Sequence, residues 1–279
     1  MLIFSDVAST QAQLQAWRKA GDTIGFVATM GALHEGHLAL IQRSKAENTR
    51  TVCSIYVNPT QFNNLQDLEK YPRHLEKDAT LLAQAECDLL FAPADSEMYH
   101  KPPLMRLHFG ALEEVMEGRF RPGHFNGVAL VVSKLLHIIA PQRAYFGQKD
   151  LQQFAIIKQL VEDLSFPVAL VCHEIVREAD GLAMSSRNQR LSSSERQEAA
   201  QIYQALELGA ATFRTKGPQA AKEAVHAFFE EKAHFRLEYF EIAAPDSLQS
   251  LAELRFPAAL CIAAFLGDVR LIDNLIITS

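Results

Sequence analysis

The sequence is poor in the features that mark several large classes of protein. Cysteine occurs only four times in 279 residues, at Cys53, Cys87, Cys172 and Cys261. None stands at a paired spacing, which argues against both a disulfide framework and a zinc knuckle. A reducing, cytoplasmic setting is expected, with Cys53 and Cys172 packed in the core on strands. No apolar run approaches the roughly 20 residues a membrane-spanning helix needs, so no membrane partner is expected. The N-terminal "MLIFSDVASTQAQLQAWRKAGD" starts apolar without a basic segment ahead of it; it reads as folded structure rather than a secretory leader, with Trp17 anchoring its helix. Nor is there a run of basic residues: 27 Lys and Arg stand against 33 Asp and Glu, a net charge of −6. A nucleic-acid-binding surface ordinarily carries a basic stripe, so no nucleic-acid partner is expected. Low-complexity segments and internal repeats are also missing.

What is present is alternation. "TIGFVAT" (23–29), "TVCSIYVNP" (51–59), "CDLLFAP" (87–93), "RAYFG" (143–147) and "FPVALVCHEIV" (166–176) have the apolar, β-branched character of buried strands. Between them lie helical patterns at 36–48, 71–86, 125–141 and 150–164. In the third of these Val128, Val132, Leu135 and Ile139 fall at i, i+4, i+7 and i+11, one face of a helix. The order predicts an α/β fold, a Rossmann-like doubly wound parallel sheet covered by helices on both faces. Ligands of such sheets sit at the carboxyl ends of the strands, near the switch in strand order.

After Val176 the pattern changes. Residues 177–196 are polar and turn-rich, helices are predicted over 194–215 and 218–234, and strands over 237–244, 257–267 and 269–275. Ser192 and Glu195 have the spacing of a capping box. The chain is therefore expected to divide into a Rossmann-like domain, 1–176, and a smaller C-terminal α+β domain, 177–279.

The stretch "ATMGALHEGHLALI" (28–41) follows the first long strand. Gly31 permits a tight turn and Gly36 a close approach of backbone to ligand. With a helix beginning near Gly36 or His37, free N–H groups and the positive end of the helix dipole would lie beside His34 and His37, a suitable site for phosphate. The alternatives are a metal pair and two ordinary surface histidines. A zinc pair on a helix commonly has i, i+4 spacing; here the spacing is i, i+3, a glycine interrupts, and no third ligand is legible. The phosphate reading is favoured.

"TMGALHEGHLALI" resembles the HxGH signature of the nucleotidylyltransferase superfamily, in the form typical of the pantothenate synthetase (pantoate–β-alanine ligase) family. "SIYVNPTQF", "YPR", "RPGHFNGVALVVSKL", "AYFGQKDLQQ", "READGLAMSSRN" and "RLIDN" resemble that family's segments in the same order, across nearly the whole chain. Two departures are visible: Ala28 stands where the family often has proline, and Gln148 where it often has glutamate.

The resemblance implies an enzyme that uses ATP to join pantoate to β-alanine through a pantoyl adenylate, releasing AMP and pyrophosphate. It implies ATP contacts from Met30, Gly31, Ala32, Leu33, His34, Glu35, Gly36 and His37, from Gly147, Gln148, Lys149 and Asp150, and from Met184, Ser185, Ser186 and Arg187. Val176 would reach adenine through its backbone. His34, His37, Lys149 and Arg187 are the expected catalytic groups, the histidines as N–H donors, Lys149 and Arg187 on the departing pyrophosphate. Gln61 and Gln153 would bind pantoate or β-alanine, beside Asn58 and an apolar wall of Met30 and Phe62; Tyr71 and Arg73 receive no role. Magnesium is expected with ATP, its protein ligands unknown, and a homodimer is implied. Rival readings are a related ligase or adenylyl transferase with another acceptor, a regulatory nucleotide-binding module, and a fragment of an RNA-charging enzyme.

Overall fold

Six short apolar segments pair side by side, all parallel, into one sheet: β1 (Leu2–Phe4), β2 (Ile24–Thr29), β3 (Arg50–Ile55), β4 (Leu89–Phe91), β5 (Arg143–Gly147) and β6 (Ala169–His173). The computed structural model describes residues 1–279, the side chain of Leu65 apart. The strand order is β1-β4-β3-β2-β5-β6, so the chain winds outward from β2 in both directions and reverses between β2 and β5. That reversal opens the crevice in which doubly wound sheets bind ligands.

Helices α1 (Val7–Lys19), α2 (Glu35–Glu47), α3 (Leu65–Glu69), α4 (Leu75–Gln84), α5 (Asp95–Met98), α6 (Met116–Phe120), α7 (His124–Ile139) and α8 (Leu151–Asp163) accompany this sheet. Because successive strand residues point to opposite faces, the sheet has two cores. Phe26, Val52, Leu89, Ala144 and Phe146 pack with Leu14 of α1, the Val128–Val132–Leu135–Ile139 stripe of α7 and Ile157 of α8. Val27, Cys53, Leu90 and Tyr145, each one residue along from a member of the first set, pack on the other face with Leu40 and Ile41 of α2 and Leu82 of α4.

Three findings depart from the sequence reading. The first residues form an edge strand, β1, paired in register with β4. Residues 95–120 hold two short helices, α5 and α6. Cys172, expected in the core, is exposed: β6 is the outermost strand, so only one side of it is covered by the sheet. Cys53 is fully buried, as expected, and Trp17 packs partly buried beside the first core under the guanidinium of Arg50.

Beyond the sheet, α9 (Ser193–Glu198) opens with the Ser192–Glu195 capping box, and α10 (Gln201–Glu230) is broken at Gly217, where φ is +84° ahead of Pro218. β7 (Phe235–Ala243), β8 (Ala258–Leu266) and β9 (Val269–Ile277) form an antiparallel sheet that packs on α10. Its β9 lies against the turn after β5, which brings it to the rim of the switch point. No helix of the described residues is long and apolar enough to cross a membrane.

Candidate active site

The turn after β2 is built on two consecutive residues with left-handed backbone, Gly31 at φ +82° and Ala32 at φ +51°. A side chain at Gly31 would meet the carboxylate of Asp78 at 2.9 Å. Asp78, buried on α4, accepts the N–H of Ala32 at 2.8 Å and of Leu33 at 2.9 Å, one on each oxygen. Two adjacent N–H groups in such a turn form an anion nest; here the nest is filled by the protein's own carboxylate, which fixes the turn.

His34 caps α2. Its Nδ1 accepts the N–H of Gly36 at 3.2 Å, and the same ring stands 3.0 Å from where a Gly36 side chain would begin. The N–H groups of His37 and Leu38 bond the His34 carbonyl. The expected row of free amides at this helix start is thus largely engaged, and the glycine serves to admit the His34 ring. An Nδ1 that accepts leaves the proton of a neutral imidazole on Nε2. The His37 ring lies 4.1 Å from that of His34, and its Nδ1 is buried with no partner among the described residues.

Both imidazoles are held neutral. Burial is the main cause, pushing His34 down to about 4 and His37 to about 3; Lys149 adds to both shifts and the His34 neighbour to that of His37. His124 is lowered to about 3, again by burial and then by Arg121. A histidine whose folded pKa lies below its unfolded value of about 6.5 takes up its proton first in the unfolded chain, so acid favours unfolding. Stability is expected to fall as pH drops from about 6.5 toward 4, each of these histidines contributing on the order of 1 kcal/mol per pH unit within that window. Denaturation midpoints at pH 7 and pH 5 check this, and coincident midpoints contradict it.

Across the crevice, β5 runs into Gly147, Gln148, Lys149 and Asp150. Lys149 lies 3.6 Å from Asp150 and is largely covered. Asn274 of β9 donates to the carbonyls of Gln148 at 2.9 Å and Lys149 at 3.0 Å, while the Gln148 amide donates back to Asn274. The small sheet therefore sets the turn that carries the lysine. The loop after Val176 is tied to β9 as well, through a two-pronged Arg177–Asp273 pair at 2.6 and 3.0 Å.

These elements enclose a cavity of about 210 Å³. Of the residues singled out from the sequence, Met30, His34, Gly36, His37, Gln61, Gly147, Lys149, Asp150, Gln153, Val176, Met184, Ser185, Ser186 and Arg187 line it. Gly31, Ala32, Leu33, Glu35 and Gln148 do not: the first three form the turn braced by Asp78, Glu35 faces a separate shallow depression, and Gln148 faces Asn274. Several lining groups are partly engaged within the protein. Arg187 donates to Asp67 at 3.0 Å, Ser186 meets the Tyr71 hydroxyl at 3.2 Å, and the Val176 carbonyl accepts from Met184. The Gln61 carbonyl oxygen Oε1 takes the Asn58 amide at 3.1 Å, with the Met30 sulfur 3.1 Å from Nε2.

Sequence reading missed several polar members of the lining, among them Glu174, Arg121 and His124, of which the last two are neighbours in the chain. Their segment, "RPGHFNG", carries the family resemblance without a role for either residue. The signal that could have found them is a histidine at the start of a mainly apolar helix with an arginine three residues ahead of it.

Fold and cavity together define an α/β protein of the doubly wound type with a polar crevice, lined by histidines, a lysine and arginines, at its switch point. A family profile described as Pantoate-beta-alanine ligase matches residues 2–276. Pantothenate synthetase of Cytophaga hutchinsonii is 46% identical over 282 residues, and that of Porphyromonas gingivalis 47% over 281, each alignment covering 99% of both chains. The crystal structure of pantothenate synthetase from Thermus thermophilus is 42% identical with a TM-score of 0.93, covering 99% of each chain. A pantoate-beta-alanine ligase from Francisella tularensis, solved with beta-gamma ATP and beta-alanine, is 35% identical with a TM-score of 0.84, covering 99% of this chain and 97% of that one. The chain belongs to the pantoate-beta-alanine ligase family, whose reaction is the condensation of pantoate with β-alanine.

Proposed function

We propose that the chain condenses pantoate with β-alanine at the expense of ATP, through an acyl adenylate. The observation that carries this reading is the placing of two neutral imidazoles opposite Lys149 across the switch-point crevice. In the first step the pantoate carboxylate oxygen bonds to the α-phosphorus of ATP and the bond to the bridging oxygen of pyrophosphate breaks. In the second, the β-alanine amine attacks the acyl carbon, AMP leaves, and the amine loses a proton.

The first nucleophile is already an anion and needs no general base. Alignment and donors for the phosphate charge are what such a step requires. His34, with its proton on Nε2, and His37 supply neutral donors, which bind phosphate oxygens without themselves drawing a proton from solvent. Lys149 meets the departing pyrophosphate as a compact cation. Arg187, with Ser185 and Ser186, adds donors from the loop between the two sheets. Gln61 and Gln153 hold pantoate, and Met30 and Phe62 cover its apolar end.

Magnesium would arrive with the triphosphate. Asp150 and Glu174 are the two carboxylates of the lining, oxygen donors of the kind magnesium takes, and Asp150 stands beside Lys149. The ion would neutralise phosphate charge. The chain is further read as a cytoplasmic homodimer that divides near residue 176, the C-terminal part moving as a lid over the crevice and excluding water from the adenylate.

Incubation with ATP, pantoate and β-alanine tests the reading. AMP and pyrophosphate are the expected products, and pantoate with ATP alone should support pyrophosphate exchange. ADP and phosphate, or turnover without exchange, contradict the adenylate.

A further inference from the structure

The turn that carries Gln61 is gripped by the first turn of α7. Residues 59–61 form a single helical turn after β3, and Gln61 is buried there. Gly127 of α7 lies so close that a side chain on it would stand 2.2 Å from the Thr60 carbonyl oxygen and 2.6 Å from the Gln61 Cα. One helical turn earlier, His124 Nδ1 lies 2.8 Å from the Gln61 carbonyl oxygen, and its Nε2 lies 3.0 Å from Arg121 Nη1.

The chemistry of these two neighbours settles the tautomer. A carbonyl oxygen only accepts, so Nδ1 must carry the proton; a guanidinium only donates, so Nε2 must be the acceptor. An imidazolium would set a second N–H against the arginine. His124 is thus a neutral bridge with a fixed direction, Arg121 to Nε2 and Nδ1–H to Gln61. Arg121 is in turn held by Glu117 at 3.5 Å. Water does not freely replace the contact between His124 and Gln61, which are 5% and 7% accessible.

We propose that His124 is a positioning residue for pantoate: through its Nδ1–H bond to the Gln61 backbone it sets where the Gln61 amide meets the substrate. This rests on the reading of Gln61 as a pantoate contact. The Gln61 side chain is braced on its other side by Asn58, which also bonds the Gly127 carbonyl at 3.2 Å, so α7 controls both the backbone and the amide of that glutamine. Losing the His124 contact frees the backbone of the turn, and the effect falls on pantoate rather than on ATP.

Asparagine and glutamine separate the two ring nitrogens, since the amide nitrogen of asparagine falls near Nδ1 and the amide end of glutamine near Nε2. His124→Ala and His124→Gln are expected to raise both the pantoate Kd, by titration, and its KM by roughly tenfold, the scale of one hydrogen bond, with KM for ATP within about twofold. His124→Asn should restore pantoate binding to within about threefold of the unaltered chain on the same scale. Gln61→Ala is the control and should weaken pantoate more than ATP. If it binds pantoate normally, the reading of Gln61 fails and the proposal with it. If Gln61→Ala loses pantoate while His124→Gln does not, the proposal alone fails. Equal losses of pantoate and ATP in the His124 variants, or His124→Asn no better than His124→Gln, also overturn it. Should His124→Ala not fold, the comparison of asparagine with glutamine decides.

Discussion

Replacing His37 with alanine is expected to lower kcat by on the order of 100-fold or more, the scale for removing one preorganised donor to a developing anion. The imidazole is neutral, fully enclosed on its Nδ1 side and packed beside the His34 ring. A donor held in place by packing costs little reorganisation when charge develops, which is why its loss should appear in kcat rather than in ATP binding alone. Single-turnover formation of pyrophosphate from ATP and pantoate isolates the step. A folded variant with unchanged kcat would remove His37 from the mechanism, and a pure rise in KM for ATP would reduce it to a binding group.

The second large effect is structural. Glu117→Ala is expected to destabilise the protein by about 3–5 kcal/mol, the cost of stranding buried charge, and to lower Tm by about 10 °C. Glu117 of α6 accepts both arms of Arg270 from β9, at 2.8 and 2.6 Å, and the Tyr239 hydroxyl of β7 at 2.9 Å. Burial alone would raise its pKa, but Arg270, with Arg121 and Tyr239, holds it at about 2. Without the carboxylate, Arg270 keeps only Glu238, and Arg121 loses its acidic neighbour beside the cavity. Thermal unfolding at pH 7 followed by circular dichroism measures the shift; a change below about 2 °C would mean that the two sheets are joined mainly by their apolar contact. That contact exists, through Met116, Leu151, Leu248, Ala259 and Cys261.

Much of this architecture was legible because it depends on local pattern. Phe26 and Val27 lie in one apolar run and still divide between two cores, as the period of a strand dictates. The break at Gly217–Pro218 was readable since glycine and proline act on their own backbone. β1 was not readable: three residues carry little pattern, and their partner lies on β4, far along the chain. Cys172 looked buried because an edge strand and a central strand can share the same apolar composition, while position in the sheet decides exposure.

The same division runs through the active site. Sequence alone determined that the chain would wind a parallel sheet, that a glycine-bearing turn with two histidines would follow a strand, and that a lysine would follow another. These are properties of neighbours in the chain, set by backbone preference and hydrophobic period. Only the tertiary structure decided which donors remain free. Asp78 occupies the Ala32 and Leu33 amides, His34 caps its own helix, and His124 is fixed as one tautomer between Arg121 and Gln61. Asp78 comes to the turn, and His124 to Gln61, from distant parts of the chain, and a hydrogen bond tolerates only a few tenths of an ångström. Such contacts follow from how the helices pack on the sheet, which no local stretch of sequence encodes.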